Sequence, residues 1–118
     1  MTRLLALVLV CALGCDEPPP VLTSVPAFEL TTHHGEALAS NSDLAGHVWV
    51  ANFIFTRCPS VCPLLTTQMG NLVDRLEDSE LRFVSFSVEP EHDTPAVLSE
   101  YAEAHGADDA RGVFPTRS

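Results

Sequence analysis

Downstream of residue 26 the apolar positions change period several times, and each change marks an element. Phe28-Glu29-Leu30-Thr31 alternates apolar with polar, and His34-Gly35-Glu36 supplies turn residues, so a β-hairpin is predicted over 27–39. Asn41 to Leu44, followed by Ala45-Gly46, reads as a short loop or one helical turn. Val48 to Phe55 is nearly continuous in apolar, β-branched and aromatic residues, the pattern of a strand buried on both faces. Thr56 to Pro63 interrupts it with two prolines and two cysteines. Leu65, Met69, Leu72, Val73 and Leu76 then recur at helical spacing, predicting a helix over about 63–77 that Glu77-Asp78-Ser79 ends. Gly70 inside it weakens the helix by about 1 kcal/mol relative to Ala. Leu81 to Val88 is a second strand with Val84, Phe86 and Val88 on one face. After the polar loop Glu89 to Asp93, Thr94 is a good N-cap and Pro95 fits the first helical position, where its missing N–H costs nothing. That helix runs to His105 and stops at Gly106. The order is hairpin, then strand, helix, strand, helix. Two strands joined by a helical crossover pair in parallel with a right-handed connection. The class is α/β.

The chain upstream of the hairpin has a different character. Met1-Thr2-Arg3 is basic, and Leu4 to Leu13 is uninterruptedly apolar. That run is too short to span a bilayer, which takes about 20 residues. A basic start, a short apolar stretch and a small residue at its end describe a secretory signal. A buried N-terminal helix fits less well, because Asp16-Glu17-Pro18-Pro19-Pro20 follows at once and neither caps nor continues a helix. Ala12-Leu13-Gly14-Cys15 resembles a bacterial lipobox, although Leu or Val is usual where Ala12 stands. The likeness implies lipidation of Cys15, and Asp16 after it resembles the signal that retains lipoproteins at the inner membrane. Residues 1–15 are therefore expected to be a lipoprotein-type signal, residues 16–26 a Pro-rich extended tether, and residues 27–118 the folded domain.

Charge narrows the partners. The 118 residues carry 16 acidic and 6 basic side chains, a formal net charge of −10. Such a surface disfavours nucleic acid and electrostatic docking on anionic lipid. It suits a basic protein patch or a cation.

Of the four cysteines, Cys11 lies in the apolar run and Cys15 in the lipobox, leaving Cys58 and Cys62 to the domain. They sit where a buried strand gives way to a helix, the end of α/β sheets that collects functional loops. On a helical turn their spacing brings Cβ atoms to about 5–6 Å. Small adjustments would allow a disulfide, or both sulfurs could bind one metal ion. The helix N-terminus favours thiolate. Two thiolates form a soft donor set for Cu(I) or Zn, and a stable mononuclear centre needs a further His. In an oxidising compartment the pair can cycle between disulfide, dithiol and metal-bound forms. A purely structural disulfide is a poor alternative, since so short a loop removes little chain entropy. Two inert core cysteines are equally poor beside two prolines. The two sulfurs are expected side by side and accessible at the mouth of the strand–helix turn.

Asn52-Phe53-Ile54-Phe55-Thr56-Arg57-Cys58-Pro59-Ser60-Val61-Cys62-Pro63 resembles the Sco/SenC signature T-x-C-P-x-V-C-P after a hydrophobic strand. Ser87-Val88-Glu89-Pro90-Glu91-His92-Asp93-Thr94-Pro95 resembles the family's S-x-D-P-x-x-D-T-P segment, with Glu89 where Asp is usual, and Val97 to Ala102 continues it. The likeness spans roughly residues 27–108. It implies a thioredoxin-like domain facing the periplasm and tethered to the inner membrane by its lipid. It also implies copper bound by Cys58, Cys62 and a distant His, the two cysteines doubling as the redox couple. The implied role is a metallochaperone that brings copper or reducing equivalents to the Cu(A) centre of cytochrome c oxidase, through subunit II or another periplasmic copper or thiol protein. Oxidation to a disulfide would abolish copper binding, because thiolate is the ligand form.

In the family the third ligand lies well after the second helix, before the final strands. Here the chain reads Ala110 to Ser118 with neither that His nor an aromatic-rich strand in recognisable form. The expectation is an incomplete thioredoxin-like fold in a C-terminally truncated chain. Among the histidines present, His47 belongs at the opposite end of the strand, His33 and His34 on the hairpin surface, and His105 at a helix C-terminus. His92 is the one candidate substitute, and a solvent-exposed loop residue is its plainer reading. The competing functions are a periplasmic thiol–disulfide oxidoreductase working without metal and an inactive truncated fragment. The C-x-x-x-C spacing leans towards metal over catalysis of disulfide exchange.

Overall fold

The structure is a computed structural model, and it describes residues 18–76, 80–107 and 112–117. The signal expected over residues 1–15, with the expected lipidation site Cys15, lies outside the described residues. Pro18 to Pro26 has no regular structure and is exposed throughout, with Val21 and Leu22 among its exposed apolar side chains.

The hairpin forms as β1 (Glu29–Thr32) and β2 (Ala37–Ala39), antiparallel with Leu30 opposite Leu38. Its turn is made by His33, His34 and Gly35, the glycine at φ 81°. A single π-type turn over Ser40–Leu44 follows, held where the Asp43 carboxylate accepts the Ala39 N–H at 2.6 Å. Next come β3 (Trp49–Ile54), α1 (Val61–Arg75), β4 (Arg82–Ser87) and α2 (Pro95–Ala104). β3 and β4 pair in parallel, from Trp49 opposite Arg82 to Ile54 opposite Ser87. Thr94 caps α2 through its side chain with Pro95 at the first position, and Gly106 (φ 62°) follows its C-cap, His105.

Two short strands were not legible in the sequence. β5 (Gly112–Val113) extends the parallel sheet beside β4, and β6 (Pro115–Thr116) pairs antiparallel with β1. Two residues are too few to show a period. The aromatic of this segment, Phe114, is 2% exposed and packs in the main core.

Burial departs from expectation in three elements. β3 is not buried on both faces. Ile54 is fully buried, but Ala51 and Phe53, on the opposite face, are exposed, because the cluster of Leu38, Leu44 and Val84 on that face reaches Trp49 and Phe86 but not them. On β4, Phe83, Val84 and Ser85 are buried while Val88, expected on the face of Val84, lies beyond the strand and is exposed. α1 starts two residues early, and its buried residues are Cys62, Thr66, Gly70 and Val73; Leu65 and Leu72 lie on the exposed flank. Gly70 explains the rotation. A Cβ there would stand 2.7 Å from the Gly106 carbonyl oxygen, so the glycine lets α1 close against the end of α2.

Candidate metal centre

The loop between β3 and α1 begins with a turn in which the Cys58 N–H donates to the Phe55 carbonyl at 3.2 Å. Cys58 then takes the role of a helix cap. Ser60 makes no side-chain cap bond, and instead the Cys62 N–H donates to the Cys58 sulfur at 3.4 Å. The free N–H groups of a helix's first turn need acceptors, and here a sulfur serves. Pro63 sits in that first turn, where a missing N–H leaves nothing unpaired.

The two sulfurs are neighbours, as the spacing required, and both cysteines are free thiols whose side chains interact. Their environments differ. The Ser60 and Cys62 N–H groups and the Cys62 thiol stabilise a Cys58 thiolate, holding its pKa below the ordinary thiol value. Burial pushes Cys62 up, and the neighbouring Cys58 adds to it, although the Phe55 backbone opposes the shift. The two environments therefore favour thiolate at Cys58 over thiolate at Cys62.

The expected open mouth is corrected. Cys58 is 7% exposed and Cys62 4%, and both belong to a cluster with Ile54, Leu98, Tyr101 and Phe114. Phe114 comes from the segment whose pattern is too short to read, which is why this cover was missed. Between and beside the two cysteines Pro59, Ser60 and Val61, at the loop's end and the start of α1, are exposed. Behind them Thr66 and Tyr101 share a buried hydroxyl–hydroxyl bond of 3.0 Å. Burial raises the Tyr101 pKa against the lowering effect of Thr66, and the two nearby thiols add to the rise.

Beneath the loop lies a residue that sequence reasoning missed. Asp93 is fully buried. Burial works to raise its pKa, but hydrogen bonds from Thr56, Ser87 and His92 prevail and keep it below the usual carboxylate value. The Ser87…Asp93 spacing of the second motif was the available signal. Arg57 and Glu89 pair across the same end as two hydrogen bonds, raising one pKa and lowering the other. Glu89, His92 and Asp93 bring three donor atoms within 4.8 Å of one another. Glu89 bonds Arg57 and Asp93 bonds its neighbours, so these three residues stand within a hydrogen-bond network.

The histidines fall mostly where expected. His92 is exposed at the thiol end, its Nδ1 near Thr56 and Asp93. His47 is exposed just before β3, at the opposite end. His105 Nδ1 bonds the Tyr101 carbonyl at 2.8 Å at the end of α2. His33 is the exception. It is 4% exposed and its Nδ1 accepts the Phe114 N–H at 3.2 Å, tying the hairpin turn to the last strands. A long-range partner drew it inside, and no local pattern could reveal that. The donor set at Cys58 and Cys62 fits a soft metal ion by chemistry and adjacency, and it supplies two of the ligands such a centre needs.

The family model described as SCO1/SenC matches residues 17–112. The SCO1 protein homolog of Bacillus subtilis is 36% identical over 105 residues, covering 86% of this chain and 54% of that protein. This chain thus spans about half the length of that curated relative. BsSco, described as a member of the Sco family of cytochrome c oxidase assembly proteins with a disulfide switch, superposes with a TM-score of 0.75 at 34% identity, over 86% of this chain and 59% of that one. Bradyrhizobium japonicum ScoI with copper bound superposes with a TM-score of 0.70 at 26% identity, over 79% and 58%. With two motifs meeting at one end of a thioredoxin-like sheet and a family match across most of its length, this chain belongs to the SCO1/SenC family.

Proposed function

We propose that this chain carries copper for assembly of the Cu(A) centre of cytochrome c oxidase, with Cys58 and Cys62 as its thiolate ligands. The adjacency of the two sulfurs at a helix start, with Cys58 already favoured as thiolate, carries the reading. The copper-bound and oxidase-assembly relatives support it. Copper is cargo here, and a further ligand completes its site. The protein's own part is to hold two soft donors together and shield them from water. With export directed by the signal over 1–15, a lipid on Cys15 and the extended residues 16–26 would hold the domain 27–118 at the periplasmic side of the inner membrane.

Copper titration tests this. Adding Cu(II) to the reduced full-length chain is expected to produce a thiolate-to-copper absorption band at one equivalent. Cys58→Ser and Cys62→Ser are each expected to abolish it. Unchanged copper binding in the double variant would overturn the proposal.

The second reading, thiol–disulfide exchange, is favoured by the asymmetry of the pair. The Cys58 thiolate would attack a partner disulfide and release one partner thiolate. Cys62, giving up its proton, would then attack the Cys58 sulfur of the mixed disulfide and release the second. Two electrons pass to the partner and Cys58–Cys62 is left oxidised. Turnover of a disulfide substrate by metal-free protein, with a reductant to restore the dithiol, would favour this reading.

A further inference from the structure

Asp93 gathers three segments that are remote in sequence. One carboxylate oxygen accepts the Thr56 N–H at 3.1 Å and the Ser87 hydroxyl at 2.7 Å. The other accepts the Thr56 hydroxyl at 2.5 Å and lies 3.1 Å from His92 Nδ1. Thr56 is thus held through main chain and side chain together, two residues before Cys58. The adjoining turn, Cys58 N–H to Phe55 carbonyl, completes a short rigid path from the carboxylate to the first sulfur. Ser87 ends β4, and Asp93 directly precedes the cap of α2. The T-x-C-P and S-x-E-P-x-x-D-T-P segments therefore meet in a single hydrogen-bond network.

A carboxylate with no exposed surface is retained only when its lone pairs are satisfied. Bonds to a charged acceptor are short and directional, so this one resists movement of Thr56 more than a neutral partner would. We propose that Asp93 is the positioning residue of the thiol pair. By gripping Thr56 at both of its polar groups it sets the path of the loop, and so the separation and orientation of the Cys58 and Cys62 sulfurs. The inference rests on these cysteines being the working pair and not on copper being their cargo.

The test uses metal-free full-length chain and reads the equilibrium constant for closing the Cys58–Cys62 disulfide in a dithiothreitol buffer, beside the urea midpoint of each variant. Thr56→Val deletes one hydroxyl and keeps the main-chain bond, while Asp93→Asn keeps the shape and removes acceptors. Both are expected to shift the constant by about tenfold, which is about 30 mV for a two-electron couple. Thr56→Ser restores the hydroxyl and is expected within about twofold of the parent. A residue that merely tied the fold together would lower the urea midpoint and leave the constant alone. Constants within about twofold of the parent for Thr56→Val and Asp93→Asn would overturn the proposal. Should Asp93→Asn fail to fold, Thr56→Val decides alone. Failure of copper titration in the parent would remove the copper reading and leave this constant measurable.

Discussion

On the helix-covered face of the parallel sheet, Ile54 has no exposed surface and Phe83 and Ser85 are 2% and 4% exposed. On the other face Leu38 of the hairpin and Leu44 of the turn after it cover Val84, but Phe53, stacked on Phe86, stays 64% exposed. The thiols belong to the first face, in one cluster with Ile54, Leu98 and Tyr101. Order is concentrated where the chemistry needs it. The side that holds the sulfurs is closed by α1, α2 and Phe114, so the geometry of the pair does not depend on what covers Phe53.

The widest separation between the faces is expected from truncating one residue on each. Leu98→Ala removes a fully buried side chain and is expected to lower stability by about 2–5 kcal/mol. Phe53→Ala loses mainly its stacking on Phe86 and is expected to lower it by less than about 1.5 kcal/mol. Urea unfolding of the reduced protein measures both, and equal losses would erase the distinction.

Gly70→Ala probes the tightness of the closed face. Helix propensity alone predicts a gain of about 1 kcal/mol. The contact with the Gly106 carbonyl predicts instead a net loss of about 1–3 kcal/mol, because backbone must move. The sign of the change in urea midpoint decides between them.

Acid is expected to act through Asp93. Its folded-state pKa is depressed, so its contribution is complete above the unfolded-state value and is lost as pH falls through the lower folded one. Asp93→Asn is therefore expected to flatten the acid limb of the stability–pH curve below about pH 5. An unchanged limb would place the acid sensitivity elsewhere. The smallest effect is expected at the surface, where Arg57→Ala breaks an exposed pair and should leave the urea midpoint unmoved at moderate salt.

The elements set by near neighbours are legible in the residues themselves. The cap Thr94-Pro95, the stop at Gly106, the turn at Gly35 and the apolar runs of β3 and β4 all act within a few residues, so pattern and position reveal them. The proximity of Cys58 and Cys62 is legible for the same reason, since a helix start brings residues four apart together. Their concealment is not, because Leu98, Tyr101 and Phe114 arrive from distant parts of the chain.

The order of the main strands and helices, the family, and the identity of the two sulfurs that meet thus follow from the amino-acid order alone. Packing in three dimensions settled the rest: that Gly70 must be glycine, that His33 turns inward to Phe114, and that Asp93 lies buried under the thiol loop. Local conformation follows from each residue's own sterics and near neighbours. Burial and hydrogen-bond partnership are set by what packs from far along the chain, which no short window of residues contains.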